Sequence, residues 1–270
     1  MQQNLLTLWD LKRFEIDNII QRALSLKKDR NQLLSYQPLI GKNIALLFEK
    51  ASTRTRISFE AAMNQLGGSV IYLNTKDTQL SRNESVKDTA RVLSGYLDAI
   101  IIRTYSQTLI EEMARWSTVP VINALTDMYH PCQILSDVMT IVEQSGSYNS
   151  LKIAWVGDGN NVAHSWINIA AVLGLQLTLA CPENYMPSSE ILQKAMKDGL
   201  GNISTTTDPI EAVTNADVIN TDVWASMGQE AEMAARKQIF QPYQINQALL
   251  DHAKKMLSLC IVCQRIEVKK

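Results

Sequence analysis

Apolar residues arrive along this chain in short runs, separated by longer stretches in which they recur every three or four positions. The runs predict strands over Asn43–Phe48, Val70–Asn74, Ala99–Arg103, Val119–Ala124, Lys152–Val156, Gln176–Ala180, Asn202–Thr206 and Val218–Thr221. Between them the period lengthens to that of a helix. Over Ser58–Leu66, for example, Phe59, Ala62, Met63 and Leu66 share one face, and Gly67-Gly68 then ends the helix. Strands that are apolar almost throughout, alternating with helices, predict parallel sheets covered on both faces. A further helix over about Gln133–Gln144 is followed by the small, polar stretch Ser145–Ser150. The expected fold is therefore α/β in two domains, each a parallel sheet flanked by helices, with the active site in the cleft between them. The expected domains are 1–146, ending in the linking helix, and 147–255.

Composition changes that picture little. The chain has 270 residues, of which 46% are hydrophobic and 20% charged, and its net charge is −1. No basic field argues for nucleic acid. The first 25 residues mix Asp10, Lys12, Arg13, Glu15 and Asp17 with apolar positions, which predicts an amphipathic helix rather than a secretory leader. No run approaches the roughly 20 apolar residues of a membrane span, so the expected location is the cytoplasm, with no membrane partner. Of the cysteines Cys132, Cys181, Cys260 and Cys263, the last two are spaced C-x-x-C. No second pair completes a zinc site, and no metal is expected.

Ligands of open parallel sheets bind outside the carboxyl ends of the strands, so the turns there carry the candidate chemistry. After the first strand comes Glu49-Lys50-Ala51-Ser52-Thr53-Arg54-Thr55-Arg56. Ser52 is a good N-cap, and two arginines at a helix N-terminus oppose the helix dipole unless an anion joins them. Hydroxyls, free N–H groups and guanidiniums together predict a phosphate site. Arg103 ends another strand, and the turn Thr126–Gln133 delivers His130 and Gln133. A lone histidine there is either structural or functional on sequence grounds. In the second half, Gly157 and Gly159 match the start of a dinucleotide turn, but Val162 stands where its third glycine belongs. Asp222 follows the last of these strands, either as a turn residue or as the partner of a substrate ammonium.

Together these turns resemble the transcarbamoylase family, and within it the branch acting on ornithine. The matching stretches are "FEKASTRTRISFEAA", "DTQLSRNESVKDTARVLS", "HPCQ", "GDGNNVAHSW" and "TDVWASMGQE", and the similarity runs from residue 4 to about 255. The resemblance implies transfer of the carbamoyl group of carbamoyl phosphate to the δ-amine of ornithine, giving citrulline, a step of arginine biosynthesis. It implies that Ser52, Thr53, Arg54 and Thr55 bind the phosphate and that Arg103, His130 and Gln133 hold the carbamoyl end. Arg103, His130 and Thr55 would stabilise the oxyanion. It implies Gln79 as a further carbamoyl-phosphate residue, serving a neighbouring subunit of a homotrimer, and Asn161, Asp222, Ser226 and Met227 as the ornithine residues. No metal or organic cofactor is implied. Near Gln79 the chain departs from the family, reading Ser81-Arg82-Asn83-Glu84 where Gly-Arg-Gly-Glu is expected.

The resemblance stops at Lys255. The family continues with His-Cys-Leu-Pro-Ala-His-Arg-Gly-Glu-Glu and a long helix, whereas this chain reads Met256–Lys270. One allowed coding of those residues, read one base out of register, spells the missing motif. Residues 256–270 are therefore expected to be an aberrant, frameshifted tail, poorly matched to the fold, and Cys260 and Cys263 to be accidents of the wrong frame. Activity of the chain with ornithine is then in doubt. The alternatives are a non-catalytic carbamoyl-phosphate-binding subunit, an aspartate-type transcarbamoylase and, last, a nicotinamide enzyme.

Overall fold

The computed structural model describes residues 4–28, 35–78, 84–224 and 233–254, and the backbone of 258–261. The chain divides into two compact units, Met1–Cys132 and Gln133–Lys270.

In the first unit, helix α1 (Arg13–Lys28) precedes the alternating series β1 (Asn43–Phe48), α2 (Thr53–Gln65), β2 (Ser69–Asn74), α3 (Val86–Ser94), β3 (Ala99–Arg103), α4 (Gln107–Trp116) and β4 (Val121–Leu125). The four strands are parallel, in the order β2-β1-β3-β4. Side chains alternate across a strand, and in the central strands β1 and β3 both faces are buried. On one side, Ile44, Leu46, Phe48 and Ile101 pack with Met63 and Phe59 of α2. On the other, Ala45, Leu47, Ile100 and Ile102 pack with Ala90 of α3 and with Ile110 and Met113 of α4. This double burial is why the strands read as unbroken apolar runs. The chain's start adds a further edge contact, with Leu5 bridging to Ile122 of β4.

Helix α2 begins at Thr53, a turn and a half before the apolar periodicity becomes visible at Ser58. Its first turn, Thr-Arg-Thr-Arg, touches no core, so no hydrophobic period marks it. The Ser52 cap marks it instead: Ser52 is extended (φ −161°, ψ 113°) and its Oγ accepts from the Thr55 N–H at 3.3 Å. Gly67 closes the helix at φ +85°, a left-handed conformation natural to glycine.

The second unit takes α5 (Pro131–Ser145) from Gln133 onward. It continues with β5 (Lys152–Val156), α6 (Asn161–Leu173), β6 (Gln176–Ala180), α7 (Ser189–Asp198), β7 (Asn202–Thr206), α8 (Pro209–Val213), β8 (Val218–Thr221), α9 (Met233–Phe240), α10 (Gln247–Leu250) and β9 (Ser258–Ile261). Its five strands are parallel in the order β7-β6-β5-β8-β9. Phe240, Tyr243, Ile245 and Leu249 pack with Val156, Ala180 and Ile219 of the sheet.

Two features bear on the ends of the expected domains. The helix expected to close the first domain at 146 lies almost wholly in the second compact unit, where its Asp137 bonds Asn220 of β8. The expected tail also contributes a strand: β9 pairs with β8 in the register Val218↔Ser258 to Thr221↔Ile261. A parallel ladder is made by backbone groups, which any residue except proline supplies on both sides, so an extended apolar stretch can join an edge whatever its side chains.

Candidate active site

In each sheet the strand order reverses at one place, and that place selects the turns that matter. From β1 the chain crosses to β2 on one side, then returns to β3 on the other. The crevice at a topological switch point is where open α/β sheets bind ligands. Here it lies at the carboxyl ends of β1 and β3, which carry the Ser52–Arg56 turn and Arg103.

These residues are wired together. Arg103 is buried, with 7% of its surface exposed, and its Nη1 donates to Thr55 Oγ1 at 3.2 Å. Ser52 Oγ donates to the same Thr55 oxygen at 3.0 Å while capping the helix. The Arg103 carbonyl accepts from the Glu49 N–H at 2.9 Å, which draws the β1 turn against β3. Beside them Thr104 donates to Glu49, and Lys50 pairs with Asp127 at 3.2 Å. Thr53 and Arg54 open α2 and are exposed, and Arg54 makes no ion pair among the described residues. The second arginine of the turn is committed elsewhere. Arg56 bonds Glu60 at 2.8 Å and stacks 3.7 Å over the Tyr72 ring, and the Glu60 bond raises its pKa further. So the turn offers a ligand one guanidinium of its two, with Arg103 as the other cation.

His130 follows β4. Thr126 Oγ1 accepts from the Tyr129 N–H at 3.0 Å and the Met128 N–H at 3.3 Å, and donates to Gln107 at 2.9 Å, which fixes the turn. The imidazole keeps some surface in solvent, but its Nδ1 is buried. Burial, with the Arg103 charge adding, pushes its pKa down to about 3. At neutral pH it is an uncharged imidazole, able to donate one hydrogen bond.

The second sheet repeats the logic. Its switch point lies between β5 and β8, and the turns there are Gly157–Asn161 and Asp222–Trp224. Asn160, rather than Asn161, caps α6, accepting from the Val162 and Ala163 N–H groups at 2.9 and 3.2 Å. Its Nδ2 donates to Asp222 Oδ2 at 3.1 Å, and the Val223 N–H donates to Oδ1 at 2.7 Å. Asn161 stands beside it in the first turn of α6. Burial lifts the Asp222 pKa to about 6 against those two bonds, and the Asp158 charge lifts it further. Asp158 is raised by burial as well, opposed by its ion pair with Arg236. Arg236 is itself buried, bonded to the Trp224 carbonyl, and lies 4.8 and 5.1 Å from the Tyr185 and Phe240 ring centres.

The glycines of the β5 turn serve the protein itself. A Cβ on Gly159 would lie 2.3–2.6 Å from backbone atoms of Tyr185, Met186 and Pro187, and its N–H donates to the Tyr185 carbonyl at 2.8 Å. Gly159 therefore lets another loop approach, which accounts for it without a pyrophosphate. Gln133 and Asp137, on α5, join this unit, with Gln133 Nε2 donating to Asp137 at 3.0 Å. Gln79, Ser226 and Met227 lie outside the described residues.

Sequence reasoning missed Asp137, Asn220 and Arg236. Two left a signal: Asp137 stands four residues after Gln133 on one helix, and Asn220 is a polar residue inside an apolar strand. Among the described residues no group of three or more His, Cys, Asp or Glu could hold a metal ion, and no helix is long and apolar enough to cross a membrane.

Residues 3–143 match the family model described as aspartate/ornithine carbamoyltransferase, carbamoyl-P binding domain. Residues 149–261 match the model described as aspartate/ornithine carbamoyltransferase, Asp/Orn binding domain. The chain is 55% identical over 255 residues to an ornithine carbamoyltransferase of Syntrophus aciditrophicus, covering 94% of this chain and 84% of that protein. Among solved structures it is similar to an ornithine carbamoyltransferase from Pyrococcus furiosus, with TM-score 0.89 and 46% identity, covering 96% of this chain and 84% of that one. It is also similar to an anabolic ornithine carbamoyltransferase from Campylobacter jejuni, with TM-score 0.88 and 38% identity over 96% of this chain and 86% of that one.

Proposed function

The chain belongs to the aspartate/ornithine carbamoyltransferase family, and from that premise we propose that it transfers the carbamoyl group of carbamoyl phosphate to the δ-amine of L-ornithine. The products are L-citrulline and phosphate, and the reaction serves arginine biosynthesis. One observation supports this reading above the others: Ser52, Thr55 and Arg103 form one hydrogen-bonded network at a helix N-terminus on a topological switch point, beside Arg54, which makes no ion pair among the described residues.

In this reading the free N–H groups of the first turn of α2, with Ser52, Thr53, Arg54 and Thr55, bind the phosphate. Arg103, Thr55 and the neutral His130 donate to the carbamoyl oxygen, and Gln133 meets its amide. The neutral δ-amine attacks the carbamoyl carbon, the C–O bond to phosphate breaks, and the amine's proton passes to the departing phosphate, which leaves as hydrogen phosphate. Negative charge grows on the carbamoyl oxygen as the C–N bond forms. Fixed donors aimed at it are worth up to about 3–4 kcal/mol each. A neutral His130 suits this role, since a cationic imidazole beside Arg103 would meet a like charge.

Asn161, Asp222, Ser226 and Met227 take ornithine. In the second unit the Asp158 charge acts on Asp222 and the Asp222 charge on Asp137, and Arg236 is already paired with Asp158. That excess of negative charge suits an amino acid with an extra amine and disfavours the extra carboxylate of aspartate. Gln79 serves a neighbouring copy in a cytoplasmic homotrimer. The test is a citrulline-formation assay with each amino acid in turn. Citrulline from ornithine, and no carbamoyl aspartate from aspartate, is the expected result. Carbamoyl phosphate binding without either product would favour a non-catalytic subunit.

A further inference from the structure

Helix α5 carries Gln133 in its first turn and Asp137 one turn later, so their side chains stack on one face. Gln133 Nε2 donates to Asp137 Oδ1 at 3.0 Å, and Asn220 Nδ2 of β8 donates to Asp137 Oδ2 at 3.2 Å. Asp137 and Asn220 are buried, with 8% and 0% of their surfaces exposed. An ionised carboxylate only accepts hydrogen bonds. It therefore dictates which way round each amide lies, nitrogen inward and carbonyl outward. Asn220 takes that orientation even though its Oδ1 then has no partner among the described residues. Gln133, held the same way, is left with an acceptor, Oε1, on the side turned from Asp137.

The geometry points to Asp137 as a positioning residue that makes the site selective for a carbamoyl over an acetyl group, by holding Gln133 with Oε1 presented to the substrate's N–H. This rests on the reading above, in which Gln133 meets the carbamoyl amide. Carbamoyl and acetyl phosphate share the phosphate, the carbonyl and nearly the same size, and differ as NH2 differs from CH3. Phosphate contacts cannot tell them apart. A fixed acceptor can, because it bonds the NH2 and is left unpaired against the methyl. A glutamine free to turn would offer its own NH2 as readily, donor against donor. Burial lifts the Asp137 pKa to about 6, the Gln133 and Asn220 bonds opposing and the Asp222 charge assisting, so at neutral pH the carboxylate is ionised and the orientation holds.

The experiment is calorimetric titration of the full chain at neutral pH with carbamoyl phosphate, acetyl phosphate and inorganic phosphate. The chain should prefer carbamoyl to acetyl phosphate by about tenfold or more. Asp137→Asn, whose amide can face Gln133 either way, should lose most of that preference while its affinity for inorganic phosphate stays unchanged. In a Gln133→Leu background Asp137→Asn should alter the preference no further, since both changes remove one interaction. Asp137→Ser is the second variant should the asparagine disturb folding, as read by circular dichroism. A folded Asp137 variant with its preference intact, or one whose loss persists undiminished in the Gln133→Leu background, would overturn the inference. If none of the three ligands binds the unaltered chain, the phosphate turn itself is misassigned and the inference falls with it.

Discussion

At the residue scale the two arginines of the α2 turn have parted company. Arg56 is neutralised by Glu60 and laid over Tyr72, whereas Arg54 stands exposed at the N-terminus of the helix. Arg54→Ala should therefore reduce carbamoyl phosphate affinity at least a hundredfold by calorimetry, while Arg56→Ala should act mainly on stability. Arg54→Lys should recover little, because an ammonium lacks the planar fork that meets two phosphate oxygens at once; full recovery would show that charge alone suffices. Asp222 makes a second prediction. Its pKa is raised to about 6, so it is ionised above that pH and neutral below it, and a neutral carboxyl holds a substrate ammonium poorly. Because the attacking amine must be deprotonated, the kcat/KM for ornithine is expected to fall one decade per pH unit on acidification even with Asp222 ionised. Below about pH 6 the slope should steepen to two decades per unit, and a slope that stays at one would remove Asp222 from the ornithine contact.

At the element scale, turns hold the site and helices hold the turns. The β5 turn depends on Gly159, where a Cβ would press on the backbone of Tyr185–Pro187. Backbone cannot yield as a side-chain tip can. Gly159→Ala should therefore cost about 2 kcal/mol or more of stability, seen as a lowered denaturant midpoint, and should weaken ornithine binding more than carbamoyl phosphate binding. A variant as stable as the parent would show that the approach of the two segments is not obligatory. Ser52 is different in kind, because it caps α2 and also lines the phosphate turn, so its loss should act on both stability and binding.

At the scale of the whole molecule, each unit is a parallel sheet whose central strands are buried on both faces, and each has polar turns at one switch point. The homotrimer is a proposal at this scale. Sedimentation at micromolar concentration should give three times the monomer's 30.3 kDa, and a monomeric mass would remove Gln79 from any shared site. In unit 1, Val92 on α3 and Tyr96 in the turn that follows it are among the apolar residues left to solvent, so substituting charged residues there is a second way to probe association.

The local pattern by itself determined the elements. Seven strands were legible to within two residues at either end, the central ones because burial on both faces leaves an unbroken apolar run, and Val218–Thr221 was legible even though Asn220 interrupts it. It also singled out the turns proposed to carry chemistry, since Ser52, Arg54, Arg103, His130 and Asp222 are polar or charged residues at or beyond the carboxyl ends of apolar strands. Strand order could not be read in the same way. It is a long-range choice among pairings of similar apolar runs, and it alone brings Arg103 to Thr55 and Asp222 to Asn160. The fates of Arg54 and Arg56 were likewise hidden, because they depend on whether Tyr72 and Glu60 lie within reach. The buried partners Asp137, Asn220 and Arg236 matter for the same reason: a polar residue's role is set by what burial places beside it, and that is decided by the tertiary structure.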